Sequence, residues 1–527
     1  MLEAASVPGV FIERIGIRFG VTVLANFLRA GLSFATGILI ARELGASGYG
    51  DLNFLLGSFV AISLLLEMGT SSAFYTFISR RRRGATFFAL YIGWLVFQFV
   101  GTVLVVGLLL PGSVVERVWV GHERGIVLLA FVASFLMMQA WGMVSQLGEA
   151  VRKTVIVQVA LVIQAAAHLA LILAASYWGW LTVKNVMWLL VGEYALFVAA
   201  FGPRLVRANL PVHYEGRDNA RTVAKEFTTY CTPLVIYGWV GFLYTFADRW
   251  LLQQFGGAEQ QGFFAVGQQF ANVSLIVTAS ILRVFWKEVA EARERQDHRR
   301  VQRLYVSVSR GLYFAGAWIS CLLLPYSREI LSWTLGPSYE AAWLILGLMF
   351  LVPIHQSLGQ IVGTFLYADG ETWRYAKIGV LTMGVSIPVT YLMLASPSAA
   401  VPGLGLAAVG LALKMVVLQV VGVNLYSRLI AKANGWTWDY GHQAAALGIL
   451  FGVALLSKWV AGEALGLAGV FGWGHLATMG LGWVLYATST LIILYKLPWL
   501  AGLGRDQIRF VLSSAGRRLG ILSAVSR

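Results

Sequence analysis

An all-α polytopic membrane protein with about 14 transmembrane helices is predicted by three features of this sequence. First, hydrophobic residues make up 58% of the 527 and charged residues only 12%, giving a mean hydropathy of +0.72. A water-soluble globule cannot hide that much apolar surface, because burial is limited by surface-to-volume scaling. Second, the apolar residues come in continuous runs rather than in alternation. A run of about 20 residues crosses a bilayer core as a helix, and alternation would be needed for a barrel. Third, the bases cluster at the ends of these runs, so the net charge of +15 reads as membrane topology rather than as a nucleic-acid surface. Disorder is excluded by the apolar content. Two cysteines, Cys231 and Cys321, are too few for a disulfide scaffold, and residues 1–18, with Glu3, Glu13, Arg14 and Arg18, do not form a cleavable signal peptide.

The first span, 19–40, ends in a glycine-rich turn, and 52–69 returns to the run Arg80–Arg83. Spans 85–110 and 126–148 are joined by 111–125; 155–177 follows Arg152 and Lys153, and 186–206 follows a turn with Trp178 and Trp180. After a longer connection, 207–232, come 233–252 and 263–282, again joined by a glycine-rich turn. The charged stretch 283–304 precedes 305–325, and Leu335–Ala342 leads into 341–367. Spans 375–395 and 403–426 are flanked by Arg374, Lys377, Arg428 and Lys432; the last two are 443–460 and 476–495. Tryptophans near span ends, such as Trp119, Trp436, Trp438, Trp459 and Trp473, suit interfacial anchoring.

Thirty-one of the 40 Lys and Arg fall on the side that holds both termini, seven on the other, and Arg29 and Lys414 lie within spans. The positive-inside rule therefore places both termini in the cytoplasm. The longest outer connections, 111–125 and 461–475, leave no room for an outer catalytic domain. Gly45-Ala46-Ser47-Gly48-Tyr49-Gly50 and Gly257-Ala258-Glu259-Gln260-Gln261-Gly262 share a G-A-x-x-x-G pattern 212 residues apart, after spans one and seven. Both spans run outward, so the repeat is parallel, with its axis along the membrane normal. The expected division is an N-terminal lobe of six spans (1–206), a cytoplasmic linker (207–232), a C-terminal lobe of six (233–430), two further spans (431–495) and a basic tail (496–527). In that tail Ile508, Val511, Leu512, Leu519 and Leu522 among Arg505, Arg509, Arg517 and Arg518 predict an interfacial amphipathic segment.

Four stretches resemble one family. Ala41-Arg42-Glu43-Leu44-Gly45 through Tyr49-Gly50 is similar to the first hairpin of polysaccharide flippases of the multidrug/oligosaccharidyl-lipid/polysaccharide (MOP) exporter superfamily. So are Asp248-Arg249-Trp250-Leu251-Leu252 with Gly262-Phe263-Phe264, then Leu335–Ala342, and Gly403-Leu404-Gly405-Leu406-Ala407-Ala408. The resemblance implies two six-helix lobes around a central cavity, alternating access, and a polyprenyl-pyrophosphate-linked oligosaccharide as cargo. In the related lipid II flippase two extra C-terminal helices form a groove for the lipid tail; spans thirteen and fourteen could match them, but carry no motif that shows it.

Ionisable groups inside spans are costly, roughly 2.5–3.5 kcal/mol for Arg, Lys or Asp at a helix centre, and usually face a cavity or a partner. Arg29, Lys414 and Glu193 lie near the centres of their spans, and His168 and His355 well inside theirs. Two cations against one carboxylate suit an anionic cargo such as a pyrophosphate, which a guanidinium binds through its planar fork. The alternative is a structural pair such as Arg29 with Glu193. Glu193 could instead carry a coupling proton, since burial raises a carboxyl pKa, and coupling to a H⁺ or Na⁺ gradient stays open. Asp248 and Arg249, beside Tyr244 at the outer end of span seven, are a candidate gate or an interfacial pair; Glu67, at the inner end of span two, has the same ambiguity. His168 and His355 read first as hydrogen-bonded helix packers rather than ligands, and Tyr244, Tyr237 and Trp239 as possible sugar-stacking rings. Arg80–Arg83 sets topology and meets anionic headgroups, and the mixed charges of 283–303 suit a solvated helix.

No Walker-type loop, H-E-x-x-H, C-x-x-C or G-x-S-x-G is present, so no catalytic residue, metal or cofactor is expected. The reading is a flippase, with a polysaccharide polymerase or synthase as a possible partner. Its rivals are a cation-coupled drug antiporter of the same superfamily and a non-transporting component of a synthase complex. An antiporter would need acids deep in spans one or seven. Span one holds Arg29 instead, and the only acid of span seven, Asp248, is near its outer end.

Overall fold

The computed structural model describes residues 8–210, 219–368, 372–467 and 474–503. Side chains at 8–19, 274–287, 290, 293, 363, 364, 366–368, 372–376, 467, 474 and 475 are outside that description. The expected amphipathic tail, its segment 504–522 included, lies outside the described residues.

The described chain is helical, with no strand among the described residues. In order the helices are α1 (Pro8–Glu67), α2 (Thr70–Arg80), α3 (Ala85–Leu104), α4 (Gly112–Val118), α5 (Arg124–Phe135), α6 (Trp141–Ala150), α7 (Thr154–Tyr177) and α8 (Val183–Asn209). There follow α9 (Ala220–Glu294), α10 (His298–Leu323), α11 (Ser327–Thr334), α12 (Trp343–Ala368), α13 (Thr372–Leu394), α14 (Ala407–Ala433), α15 (Tyr440–Leu467) and α16 (Gly474–Lys496). Twelve helical stretches among the described residues are long and apolar enough to cross a membrane. Two of them, 20–67 and 220–273, have 48 and 54 residues. At 1.5 Å per residue each is roughly 70–80 Å long, more than twice a bilayer core of about 30 Å. Each must therefore bend back. The bends are at Gly45 (φ 67°, ψ 176°) and Gly257 (φ 78°, ψ 179°), the first glycines of the two repeats, where the missing Cβ permits positive φ. Counting both halves of α1 and α9 restores the fourteen predicted spans.

The expected linker 207–232 is mostly helix: α8 runs to Asn209 and α9 begins at Ala220, while 211–218 lies outside the described residues. The charged stretch after span eight also continues α9 as far as Glu294. Span two is broken at Met68 and Gly69, both with positive φ, and continues as α2. The two π-helical turns, Val105–Leu109 and Leu136–Ala140, were not foreseen. Arg124 donates to the carbonyls of Gly107 (2.9 Å) and Leu110 (2.6 Å), oxygens of and just after the first π turn, which accounts for one of the few bases on the predicted outer side.

Packing forms two compact units, residues 1–266 with 380–411, and 267–379 with 412–527. In the first unit α2, α3, α6, α8 and the start of α9 share an apolar core. Phe74 stacks on Tyr91 (centroids 4.1 Å apart) and on Phe87 (5.8 Å). In the same unit the second half of α1 touches α9 almost backbone to backbone, its start against the residues just after the Gly257 bend and its end against the first half of α9. A methyl on Gly50 would collide with Ala258, 2.7 Å from its carbonyl carbon, and one on Gly262 with Ala46, 2.8 Å from the corresponding atom. Each repeat thus places its last glycine against the alanine of the other. Further along, a methyl on Gly238 would lie 2.9 Å from Leu64 O. Small residues let helices approach this closely, and dispersion and packing replace the hydrophobic effect that lipid cannot supply.

The second unit centres on α10, α12, α15 and α16, with Tyr305, Tyr313, Phe365 and Tyr486 in its core. The last two predicted spans are integral to this core. Trp318 Nε1 donates to Thr490 Oγ1 (2.9 Å), and Tyr486 OH to the Trp318 carbonyl (3.1 Å).

Candidate functional site

Within the first unit, three helices bring polar side chains together inside the membrane-spanning segments. Gln164 and His168 are four residues apart on α7 and so share a face. Glu193 and Tyr194 come from α8. His168 Nδ1 lies 2.9 Å from Glu193 Oε1, and Gln164 Nε2 donates to Glu193 Oε2 at 3.4 Å. Both carboxylate oxygens are therefore engaged, and Glu193 is 6% exposed. Satisfying both oxygens is what permits a carboxylate at such depth. Arg29 on α1 lies within electrostatic reach of Tyr194 but is exposed. Among the described residues no carboxylate lies within ion-pair distance of it. The structural pair of Arg29 with Glu193 weighed from the sequence is thus replaced by Glu193 with His168, and Arg29 is left with its guanidinium open.

A second cluster lies where α9 meets α1 and α13 in the same unit. Asp248 and Arg249, adjacent in sequence, diverge. Asp248 Oδ1 accepts from Thr390 Oγ1 of α13 at 2.7 Å, one turn from Tyr244, which meets Ser386. Arg249 reaches α1, where Nη1 donates to the Asn53 carbonyl at 3.3 Å. Its guanidinium occupies the space a side chain at residue 57 would need: a methyl on Gly57 would lie 2.8 Å from its Nε. Beside it Gln253 Nε2 donates to Asp51 Oδ1 at 3.0 Å, and Asp51 Oδ1 is 3.3 Å from His122 Nε2. His122 Nδ1 is 2.6 Å from the Trp119 carbonyl. Burial acts to lower the His122 pKa, but the Asp51 carboxylate and the Trp119 carbonyl, each facing one ring nitrogen, outweigh it and hold it above the ordinary value of 6.5.

The other predicted residues stand apart. Lys414, in the second unit, is enclosed at 1% exposure. His355 packs within that unit's core: its Nε2 is 3.2 Å from Gln443 Oε1 and its ring is edge-on to Tyr313 at 5.4 Å. Gln443 in turn exchanges bonds with Asn424, which accepts from Trp438 Nε1 at 2.9 Å, so His355 is linked through Gln443 to α14 and α15. Glu67 is half-buried at the end of α1. Gln164, Asp51, Gln253, His122 and Thr390 were missed. Gln164 could have been found as the i−4 neighbour of a buried histidine, and Asp51 as the residue following the first repeat; the others carry no local signal.

The sequence profile of the Polysaccharide biosynthesis protein family matches residues 18–286, about half of the chain. No curated protein matches it significantly. Solved structures share its fold at low identity. A lipid II flippase, MurJ, in an inward closed conformation is 13% identical with a TM-score of 0.67, covering 90% of this chain and 99% of that one. An inward-facing multidrug resistance MATE family transporter of the MOP superfamily is 15% identical with a TM-score of 0.55, covering 77% and 95%. A MOP superfamily transporter from Pyrococcus furiosus is 12% identical with a TM-score of 0.53, covering 79% and 95%. The chain therefore has the MOP-type transporter fold.

Proposed function

We propose, for a chain that belongs to the polysaccharide biosynthesis protein family, a non-enzymatic transporter that moves a polyprenyl-pyrophosphate-linked oligosaccharide from the cytoplasmic to the outer leaflet. The expected lobes, 1–206 and 233–430, would alternate in access. The observation that carries this reading is Arg29, an exposed guanidinium within a span and in electrostatic reach of Tyr194, while the neighbouring residue Glu193 is already committed to His168 and Gln164. A permanent cation left toward hydrocarbon costs several kcal/mol, so its face of α1 must be wet or occupied by an anion. A phosphoryl group fits best, since it takes two parallel N–H···O bonds from the planar fork. The family supplies the polysaccharide context, and a neighbour of the same fold named as a lipid II flippase lends the lipid-linked class of cargo.

In this reading Glu193 is a positioning residue. It fixes His168 and limits the local positive charge so that cargo can leave as well as bind. Lys414, buried at 1% exposure, serves cargo only in a conformation that uncovers it. The His168–Glu193 pair is where uptake of a proton from an ion gradient would act. Complementation of flippase-deficient bacteria in several polysaccharide pathways tests the proposal, comparing wild type with Arg29→Ala and Lys414→Ala at matched membrane levels. Rescue by wild type and loss with Arg29→Ala supports it. Rescue by both variants removes the site assignment. No rescue, together with resistance to cationic drugs, would replace the flippase by an antiporter, and co-purification with a synthase without transport would favour a scaffold.

A further inference from the structure

The arginine run at the end of α2, read from the sequence as setting topology and meeting anionic headgroups along the membrane surface, borders a cavity of about 660 Å³ in the first unit. Its wall is made by Arg80 and Arg81 at the end of α2, Arg83 just beyond, and Lys225, Glu226 and Tyr230 on the first turns of α9. That end of α9 is long enough to project past the hydrocarbon: the 37 residues from Ala220 to Gly256 span roughly 55 Å. Arg83 is only 4% exposed. Its guanidinium lies over the rings of Phe87 (4.9 Å) and Phe77 (5.3 Å), and Nη1 is 2.8 Å from Glu226 Oε2. The other oxygen of Glu226 is 3.0 Å from Arg81 Nη2. One carboxylate thus serves two arginines. Arg80 and Lys225 are exposed on the cavity wall, with no ion pair among the described residues.

Topology and the helix dipole explain cations at the end of α2. They explain neither a buried, ring-stacked arginine nor a second helix adding Lys225 to the same concavity. Arg80 and Lys225, exposed on the wall of a cavity of ligand-pocket size, suit an anion with several acceptor oxygens. We propose that this cavity binds the phosphate-bearing headgroup of a lipid. Arg83 and Glu226 form its rigid floor, while Arg80 and Lys225 close on the phosphoryl oxygens. The headgroup has two sources. It belongs either to a resident anionic phospholipid or to the pyrophosphate of the cargo awaiting entry, and the second source rests on the function proposed above.

The test is lipid binding by the purified full-length protein in detergent, read by native mass spectrometry with undecaprenyl pyrophosphate, phosphatidylglycerol and inorganic pyrophosphate as separate probes. The paired change Arg80→Gln with Lys225→Gln alters only exposed side chains, so the fold should be kept, and Arg83→Gln is the stronger second variant. The paired variant is expected to weaken one lipid probe at least tenfold, with Arg303→Gln elsewhere having no effect. Loss of undecaprenyl pyrophosphate assigns the site to cargo, and loss of phosphatidylglycerol assigns it to a resident lipid. Unchanged binding of both lipids in the paired variant, or binding of inorganic pyrophosphate alone, overturns the proposal. Because binding is read without transport, failed complementation would overturn the flippase reading and leave this site standing.

Discussion

Replacing Gly50 by alanine places a methyl group 2.7 Å from the Ala258 carbonyl carbon and 2.8 Å from the Gly262 nitrogen. Carbon atoms pack at about 3.5–4.0 Å, so the two helices must part by roughly 1 Å. All the obstructing atoms are backbone, and no side-chain rotation relieves them. Overpacking of this kind costs about 1–3 kcal/mol, and about 2 kcal/mol shifts a two-state equilibrium roughly 30-fold. Gly262→Ala meets Ala46 in the same way, at 2.8 and 3.2 Å from its carbonyl carbon and Cα. Spin labels at Ser47→Cys and Glu259→Cys, both exposed, report the separation of the two repeats in a background of Cys231→Ser and Cys321→Ser. Either alanine variant should add a population at longer distance and lower the thermal midpoint by on the order of 5 °C. Gly31→Ala, with nothing within 4 Å of the added methyl, should do neither. An unchanged distance distribution and midpoint for both Gly50→Ala and Gly262→Ala would refute the inference that these glycines permit the contact.

Glu193→Ala should cost about 1–3 kcal/mol, because it leaves the His168 and Gln164 donors without their acceptor; thermal unfolding should show the loss, with Glu193→Gln closer to wild type. Thr390→Val deletes the donor to Asp248 and should destabilise by a similar amount, about 1–3 kcal/mol in the same measurement. The raised His122 pKa means that the folded protein binds the proton more tightly than the unfolded chain. Its contribution is therefore complete below about pH 6.5 and lost as pH rises through the higher folded value. Wild type should lose more stability than His122→Gln between pH 5.5 and pH 8.5, and equal losses would discard the Asp51–His122 contribution.

The fourteen spans were legible because apolar runs are local, and the bends at Gly45 and Gly257 because the repeated pattern is local too. The start of α9 at Ala220 was not. A polar helix beyond the hydrocarbon has no excess of apolar residues, and a ruler built on hydropathy passes over Arg221, Lys225 and Glu226. At the site, Arg29, Glu193 and His168 were visible one by one as groups too costly to bury alone. Their pairing was not, since it depends on how α1, α7 and α8 pack: Arg29 was weighed as an alternative partner for Glu193, and the side chains that meet it are His168 and Gln164. Asp248 and Arg249 illustrate the same limit: neighbours in sequence, they point to α13 and α1, because successive helical residues face about 100° apart.

The bends in α1 and α9 each involve a single non-helical glycine, so these two connections contain no slack. One residue added between Gly45 and Gly50 would rotate everything after it by about 100° and advance it by about 1.5 Å. Gly50, Gly57 and Leu64 would then all miss their counterparts on α9. Length at these two turns is therefore more tightly constrained than composition. Epitope tags and reporter fusions belong elsewhere, for instance at the exposed tip 397–402 of the segment after α13, away from the backbone bonds that tie residues 403–406 back to that helix.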